Sequence, residues 1–217
     1  MSVPKQILVA TDLTARGDRP FARAKLLADF WDAGRTLLFV NSPKNEVDIA
    51  KVESLLLRNY GKDAEGCNLA VNYGKPPEVI ADTAAQLGSD LIIVGAARHN
   101  DISDFFLGTA VDNLVHHAQA PVLIVKERPR ANYERILVAT DFSDFSAQAL
   151  RTALDFFPGA EIDFVHAYHV AYEAWLKSDG VAAEMLTDAK KELQDFMAAI
   201  NLSASERARV NPHLVEG

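Results

Sequence analysis

The chain carries a single cysteine, Cys67, in 217 residues. That excludes an internal disulfide framework and any metal site built from several thiolates, and it suits a reducing compartment. Cys67 itself reads as a small apolar residue opening a strand. Long apolar runs are missing too: the N-terminal MSVPKQILVATD reaches an acid after a few apolar residues, and no later segment approaches eighteen. Neither a signal-peptide core nor a membrane span fits such runs, so the expected location is the cytoplasm. Basic residues are in deficit, with 22 Lys and Arg against 30 Asp and Glu and a net charge of -8. Binding to a phosphate backbone is driven by counterion release at a basic surface, so the charge disfavours nucleic acid as a bulk partner and leaves room only for local basic pockets. What is present, 49% hydrophobic and 24% charged residues, is the make-up of a folded globular protein.

The chain repeats itself. KQILVATDLT at Lys5 and ERILVATDFS at Glu134 share ILVATD, beginning at Ile7 and Ile136 and thus 129 residues apart. Each copy continues into a helical pattern, RPFARAKLLADFW or FSAQALRTALDFF, and then a second β-like run, TLLFVNS or EIDFVHAY. These runs are apolar on successive residues, which suits parallel strands covered on both faces. The first copy reads as a full alternation, with strands at Gln6–Ala10, Thr36–Asn41, Cys67–Val71, Leu91–Val94 and Val122–Lys126. Helices are expected at about Arg19–Ala33, Glu46–Asp63, Pro77–Leu87 and Thr109–His117, Pro77 standing at a helix start where its missing N–H costs nothing. Right-handed crossovers then give an α/β fold, an open doubly wound sheet of five parallel strands in order 3-2-1-4-5. The second copy supplies a strand at Arg135–Ala139, a helix, a strand, a helix at about Ala182–Ile200, and ARVNPHLVEG in the place of the first copy's CNLAVNYG. The expected organisation is a complete domain over 1–128 and an incomplete second copy over 129–217, without a second phosphate loop or last strands.

One stretch of the first copy carries chemistry. DLIIVGAARHNDISDFFLGTAVDNLVHH leaves the fourth strand at Gly95, passes a polar loop, and enters a helix at Gly108-Thr109. In open α/β sheets ligands sit beyond the carboxyl ends of the strands where the strand order reverses, here between strands one and four. Thr11-Asp12 and Gly95 end those two strands. Free N–H groups at a helix N-terminus attract phosphate oxygens, and glycines at 95 and 108 allow close backbone approach. Many strand-Gly-loop-Gly-helix segments are only connections, so these features alone leave both readings open.

The spacing Gly95, two residues, Arg98, nine residues, Gly108-Thr109 resembles the G-x2-G-x9-G-[S/T] nucleotide loop of the universal stress protein family. ILVATD opening each repeat, FVN or FVH ending strand two, DLIIVGA before the loop and APVLIVK after its helix agree with it. The resemblance covers Val3 to Lys126 completely and continues from Tyr133 to Gly217. It implies a Rossmann-like domain that binds ATP or AMP, with magnesium accompanying ATP, and little or no turnover. It also implies that Asp12 lies on the adenosine side, that Ser42 contacts adenine through its backbone, and that Gly95, Gly108 and Thr109 hold ribose and phosphates. Arg98 stands where the motif has its second glycine. It either adds a charge-assisted contact to a phosphate or closes the loop. In the latter case the protein is a structural or interaction module acting through dimerisation. A hydrolysing or adenylylating enzyme is the third class, for which no base or nucleophile is indicated.

Other candidates have plainer readings. Asp12 and Asp141 precede a Ser or Thr by two residues and fit turn-fixing acceptors better than catalytic carboxylates. Thr14, Ser143 and Ser146 are possible phosphate acceptors with helix capping as the plainer role. His116-His117 fit a helix C-terminus, His166 and His169 lack metal-site support, and His99 lies beside Arg98 in the loop. The apolar last strand of the first copy, Pro121 to Lys126, falls at a sheet edge that invites pairing with a second chain. In the family this strand forms the dimer or domain contact, so a homodimer is expected.

Overall fold

The fold is described from a computed structural model, which describes residues 2–13, 17–41, 48–96, 109–168 and 179–216. The chain forms two compact units, Pro4–Asn132 and Tyr133–Gly217 with Met1–Val3.

In the first unit Ile7, Leu8 and Val9 are each 0% exposed, so β1 (Gln6–Thr11) is covered on both faces, as its unbroken apolar run requires. It pairs in parallel with β2 (Gly34–Asn41) on one side and β4 (Leu91–Gly95) on the other. β3 (Cys67–Tyr73) and β5 (Val122–Val125) are the two edges, and the order is β3-β2-β1-β4-β5. β1 and β4 therefore flank the point where the chain's winding reverses.

Helix α1 (Asp18–Trp31) buries Phe21, Ala24, Leu27, Ala28 and Trp31, a three-and-four spacing that makes one apolar stripe, against β1, β2 and β4. Asp32 in the left-handed region, φ 52°, ends it, its N–H bonding to the Ala28 carbonyl. Helix α2 (Ile49–Tyr60) begins where the Asp48 carboxylate accepts the Ala50 and Lys51 amides, later than the Glu46 start read from sequence, and a 3-10 turn over Gly61–Ala64 completes the expected span. Helix α3 (Pro76–Leu87) carries both prolines in its first turn, and α4 is Thr109–His117. The two cover the other sheet face, where Ile80, Ala81, Ala84 and Leu114 meet Leu8, Leu38, Ile92 and Val94. Each such leucine contributes about 1.5–3 kcal/mol by leaving water.

The second unit holds three parallel strands in order β6-β7-β8: Arg135–Ala139, Glu161–Tyr168 and Val210–Glu216. Helices α5 (Asp144–Phe156), α6 (Asp179–Ala199) and the one-turn α7 (Ala204–Arg207) complete it. Its core joins Val138, Leu150, Leu154, Ile162, Phe164, Leu193, Met197 and Val210. Here the expectation of strands covered on both faces fails. Leu137, the counterpart of the fully buried Leu8, is 67% exposed, because among the described residues nothing stands where α3 and α4 stand in the first unit. The same face carries Asp163, whose carboxylate accepts from Arg135 Nη2 at 2.8 Å and pairs with His213 Nε2 at 3.0 Å. Those hydrogen bonds, His213's first, hold the Asp163 carboxyl below the usual carboxylate range.

Candidate functional site

At the carboxyl ends of β1 and β4 the first unit opens into a cleft of about 560 Å³, inside the range of roughly 300–1,000 Å³ usual for small-ligand sites. β1 contributes Ala10, Thr11 and then Asp12; β4 contributes Val94, Gly95 and Ala96; Phe39 and Val40 come from β2, and Pro76, Pro77 and Ile80 from α3. Gly17, Arg19 and Pro20 come from the start of α1, and Val111, Leu114 and Val125 close the apolar side. A mostly aliphatic and aromatic wall with a carboxylate and a guanidinium at its border suits a flat apolar base attached to a polar, charged tail. The Arg19 guanidinium also donates to the Lys126 carbonyl at 2.7 Å, which ties this border to the end of β5. Lys126, read as the last strand residue from sequence, lies just past β5.

Of the six residues singled out by sequence, Asp12 and Gly95 line this one cleft. Their neighbourhood follows from topology, since β1 and β4 are adjacent and parallel with Ile7, Leu8 and Val9 facing Leu91, Ile92 and Ile93. A Cβ built on Gly95 meets Pro20 Cγ at 3.7 Å, an ordinary contact, so the protein alone does not require glycine there. Thr109 is the first residue of α4. Ser42, Arg98 and Gly108 lie outside the described residues, as do Thr14, His99 and His169.

Beneath the cleft lies a hydroxyl pair that sequence reading missed. Thr11 Oγ1 and Tyr60 Oη are 2.9 Å apart, both side chains buried, and Thr11 Oγ1 also accepts the Leu13 amide at 3.1 Å. Leu13 holds φ 60°, the left-handed conformation that branched side chains rarely adopt. The Tyr60 ring stacks on Phe21 at 4.1 Å. Burial pushes the Tyr60 phenol above its ordinary pKa, helped by the Asp18 and Asp12 charges, so it is neutral at physiological pH. Residues 49 apart in sequence gave no local signal for this contact.

The equivalent turn of the second unit is built alike. Phe142 has φ 63°, and Thr140 Oγ1 accepts its amide at 2.9 Å. Asp141 accepts the Ser143 amide and hydroxyl, which depress its carboxyl below the usual range, so it acts as the turn-fixing acceptor its spacing suggested. Ser143 caps α5 by accepting the Ser146 amide. Ser146, considered as a phosphate acceptor, is instead buried, its hydroxyl placed against Thr140 Oγ1 and the Ser143 carbonyl. His117 Nδ1 lies 2.6 Å from the Asn113 carbonyl at the end of α4, the helix-terminus role expected of it. His166 Nδ1 bonds the Thr140 carbonyl at 2.8 Å. Among the described residues no cluster of His, Cys, Asp and Glu could hold a metal, and no helix is long and apolar enough to cross a membrane.

The sequence profile of the universal stress protein family matches residues 4–126 and again 132–216. Universal stress protein Sll1388 of Synechocystis sp. is 30% identical over 71 residues, which span 33% of this chain and 46% of that protein. The chain spans less than half the length of the curated relatives it matches. A solved structure of a putative universal stress protein from Pseudomonas aeruginosa UCBPP-PA14 superposes with a TM-score of 0.66 at 18% identity, covering 99% of this chain and 74% of that one. One from Archaeoglobus fulgidus DSM 4304 gives 0.62 at 21% identity, covering 98% and 77%. At those identities the likeness is one of fold.

Proposed function

This chain belongs to the universal stress protein family, and from that premise we propose that its first unit binds an adenine nucleotide, ATP or AMP, without significant turnover. The observation that carries the reading is the meeting of Asp12 and Gly95 in one cleft of about 560 Å³ at the reversal of strand order. The apolar wall of Phe39, Val40 and Ile80 takes the base, the Asp12 carboxylate accepts ribose hydroxyls, and Gly95 leaves room for the sugar. Ser42 contacts the adenine through its backbone. Arg98, Gly108 and Thr109 hold the phosphates, with the amides at the start of α4 facing them, and magnesium accompanies ATP by screening its charge. The domain division falls near residue 128, and the second copy, with Asp141 spent on its own turn, takes no nucleotide alone. Two chains pair through the β5 edge, which is the sheet's outer strand. The protein acts in the cytoplasm as a nucleotide-responsive stress module.

Calorimetry with Mg-ATP and with AMP tests this. Saturable binding at one site per chain, weakened by Asp12→Ala, is expected. Absence of heat at millimolar nucleotide overturns it, and tighter binding by Arg98→Gly shows that the arginine obstructs where this reading has it grip.

A further inference from the structure

Both units use a threonine at the end of their first strand to accept the amide of a residue with positive φ, yet they fill the space beside that threonine differently. In the second unit the slot holds Ser146, whose Oγ lies 2.8 Å from Thr140 Oγ1 and 2.9 Å from the Ser143 carbonyl. A serine hydroxyl has one hydrogen, and a carbonyl can only accept it. Ser146 therefore donates to Ser143, and Thr140 must spend its own hydrogen on Ser146.

In the first unit the counterpart of Ser146 is Gly17, and the slot is taken from outside by Tyr60. A Cβ at position 17 would lie 2.6 Å from Thr11 Oγ1 and 2.8 Å from Tyr60 Oη. The glycine is what admits the phenol. Tyr60 is 8% exposed and Thr11 Oγ1 is its one polar partner among the described residues. A buried phenol hydrogen without an acceptor costs more than one well placed, so Tyr60 donates and Thr11 accepts. With the Leu13 amide also donating to it, Thr11 Oγ1 accepts twice and keeps its own hydrogen. Thr11 and Gly17 both line the cleft, whereas Tyr60 stands behind them.

We propose that Tyr60 is a positioning residue for the first unit's ligand. By donating to Thr11 it frees the threonine hydrogen for an acceptor atom of the bound molecule, a ring nitrogen or an oxygen of a nucleoside phosphate, and it braces the turn that presents Asp12. The inference rests on the nucleotide reading and adds a residue that makes no ligand contact. It also separates the two units: Thr11 offers a donor where Thr140 has none left.

The test is a double-mutant cycle on the full chain with Tyr60→Phe and Thr11→Val, read as AMP affinity by calorimetry and as Leu13 amide hydrogen exchange by NMR. Phenylalanine keeps the stacking on Phe21 and removes only the hydroxyl. Each single change is expected to weaken AMP binding about tenfold and the pair no further, because the two hydroxyls act as one unit. Leu13 exchange is expected to quicken in Tyr60→Phe, with Thr11→Ser retaining near wild-type affinity. A purely structural role would lower the melting temperature of Tyr60→Phe and leave AMP affinity unchanged. That result, or a pair that loses about a hundredfold, the sum of two independent losses, overturns the inference. If the wild-type chain binds no AMP at all, the nucleotide reading falls, and Leu13 exchange unaltered by Tyr60→Phe separately overturns the bracing of the turn.

Discussion

Single side chains set the chemistry of the first unit. Asp12 follows β1, whose Ile7, Leu8 and Val9 are apolar and fully buried, and it lines the cleft. Asp12→Asn keeps the side chain's size and is expected to weaken nucleotide binding by about tenfold through loss of charge-assisted hydrogen bonds, as calorimetric titration with AMP would measure. Tyr60 carries a pH signature. Its folded pKa is raised by burial above the ordinary phenol value, so the folded state holds the proton more tightly than the unfolded chain. Its contribution is therefore intact below pH 10 and is lost as pH climbs through the folded value. Urea unfolding followed from pH 8 to pH 11 should show the first unit weakening in the wild type and less steeply in Tyr60→Phe; parallel curves would refute this. Asp12 and Gly95 were legible as neighbours because strand order fixes which carboxyl ends adjoin. The Thr11–Tyr60 pair was not, since β1 and α2 meet only through tertiary packing.

At the level of elements, most of the alternation was legible because apolar runs and breakers agree along the chain. α4 and β6 have the bounds read from sequence, and Pro76 and Pro77 open α3. The departures have local causes. α1 stops at Trp31 because Asp32 turns left-handed, and α7 escaped notice although Ser203 and Glu206 form a reciprocal capping box around it, a signal visible as S-x-x-E. β5 is a short edge strand with Val122, Leu123 and Ile124 half-buried. Leu123→Lys places a charge on that edge and is expected to convert a dimer to a monomer in sedimentation velocity; an unchanged sedimentation coefficient would remove β5 from the interface. In the second unit the lowered Asp163 pKa means its stabilisation is present above the ordinary carboxylate range and is lost as pH falls through the folded value. Asp163→Asn should flatten the acid side of that unit's stability profile, as tryptophan-independent probes such as amide resonances of β7 would report.

For the molecule as a whole, one sequence pattern yields two unequal units. The repeated ILVATD forms a strand covered on both faces in one and on a single face in the other, and the local sequence cannot tell them apart, since what differs is which helices lie across the strand. Leu8 at 0% and Leu137 at 67% exposure state the difference. Burying a leucine contributes about 1.5–3 kcal/mol, so native-state hydrogen exchange is expected to show β6, β7 and β8 opening at lower free energy than β1, β2 and β4; equal protection would mean that the exposed face is covered in solution. The proposed functional asymmetry runs the same way, with a cleft beside Asp12 in the first unit and, in the second, a turn whose Ser143 amide and hydroxyl Asp141 accepts. Titration of uniformly ¹⁵N-labelled protein with AMP measures this most directly. Saturable shifts of the Asp12, Gly95 and Val111 amides are expected while Asp141, Phe142 and Ser143 stay still. Amides of the first unit unmoved at millimolar AMP would contradict it.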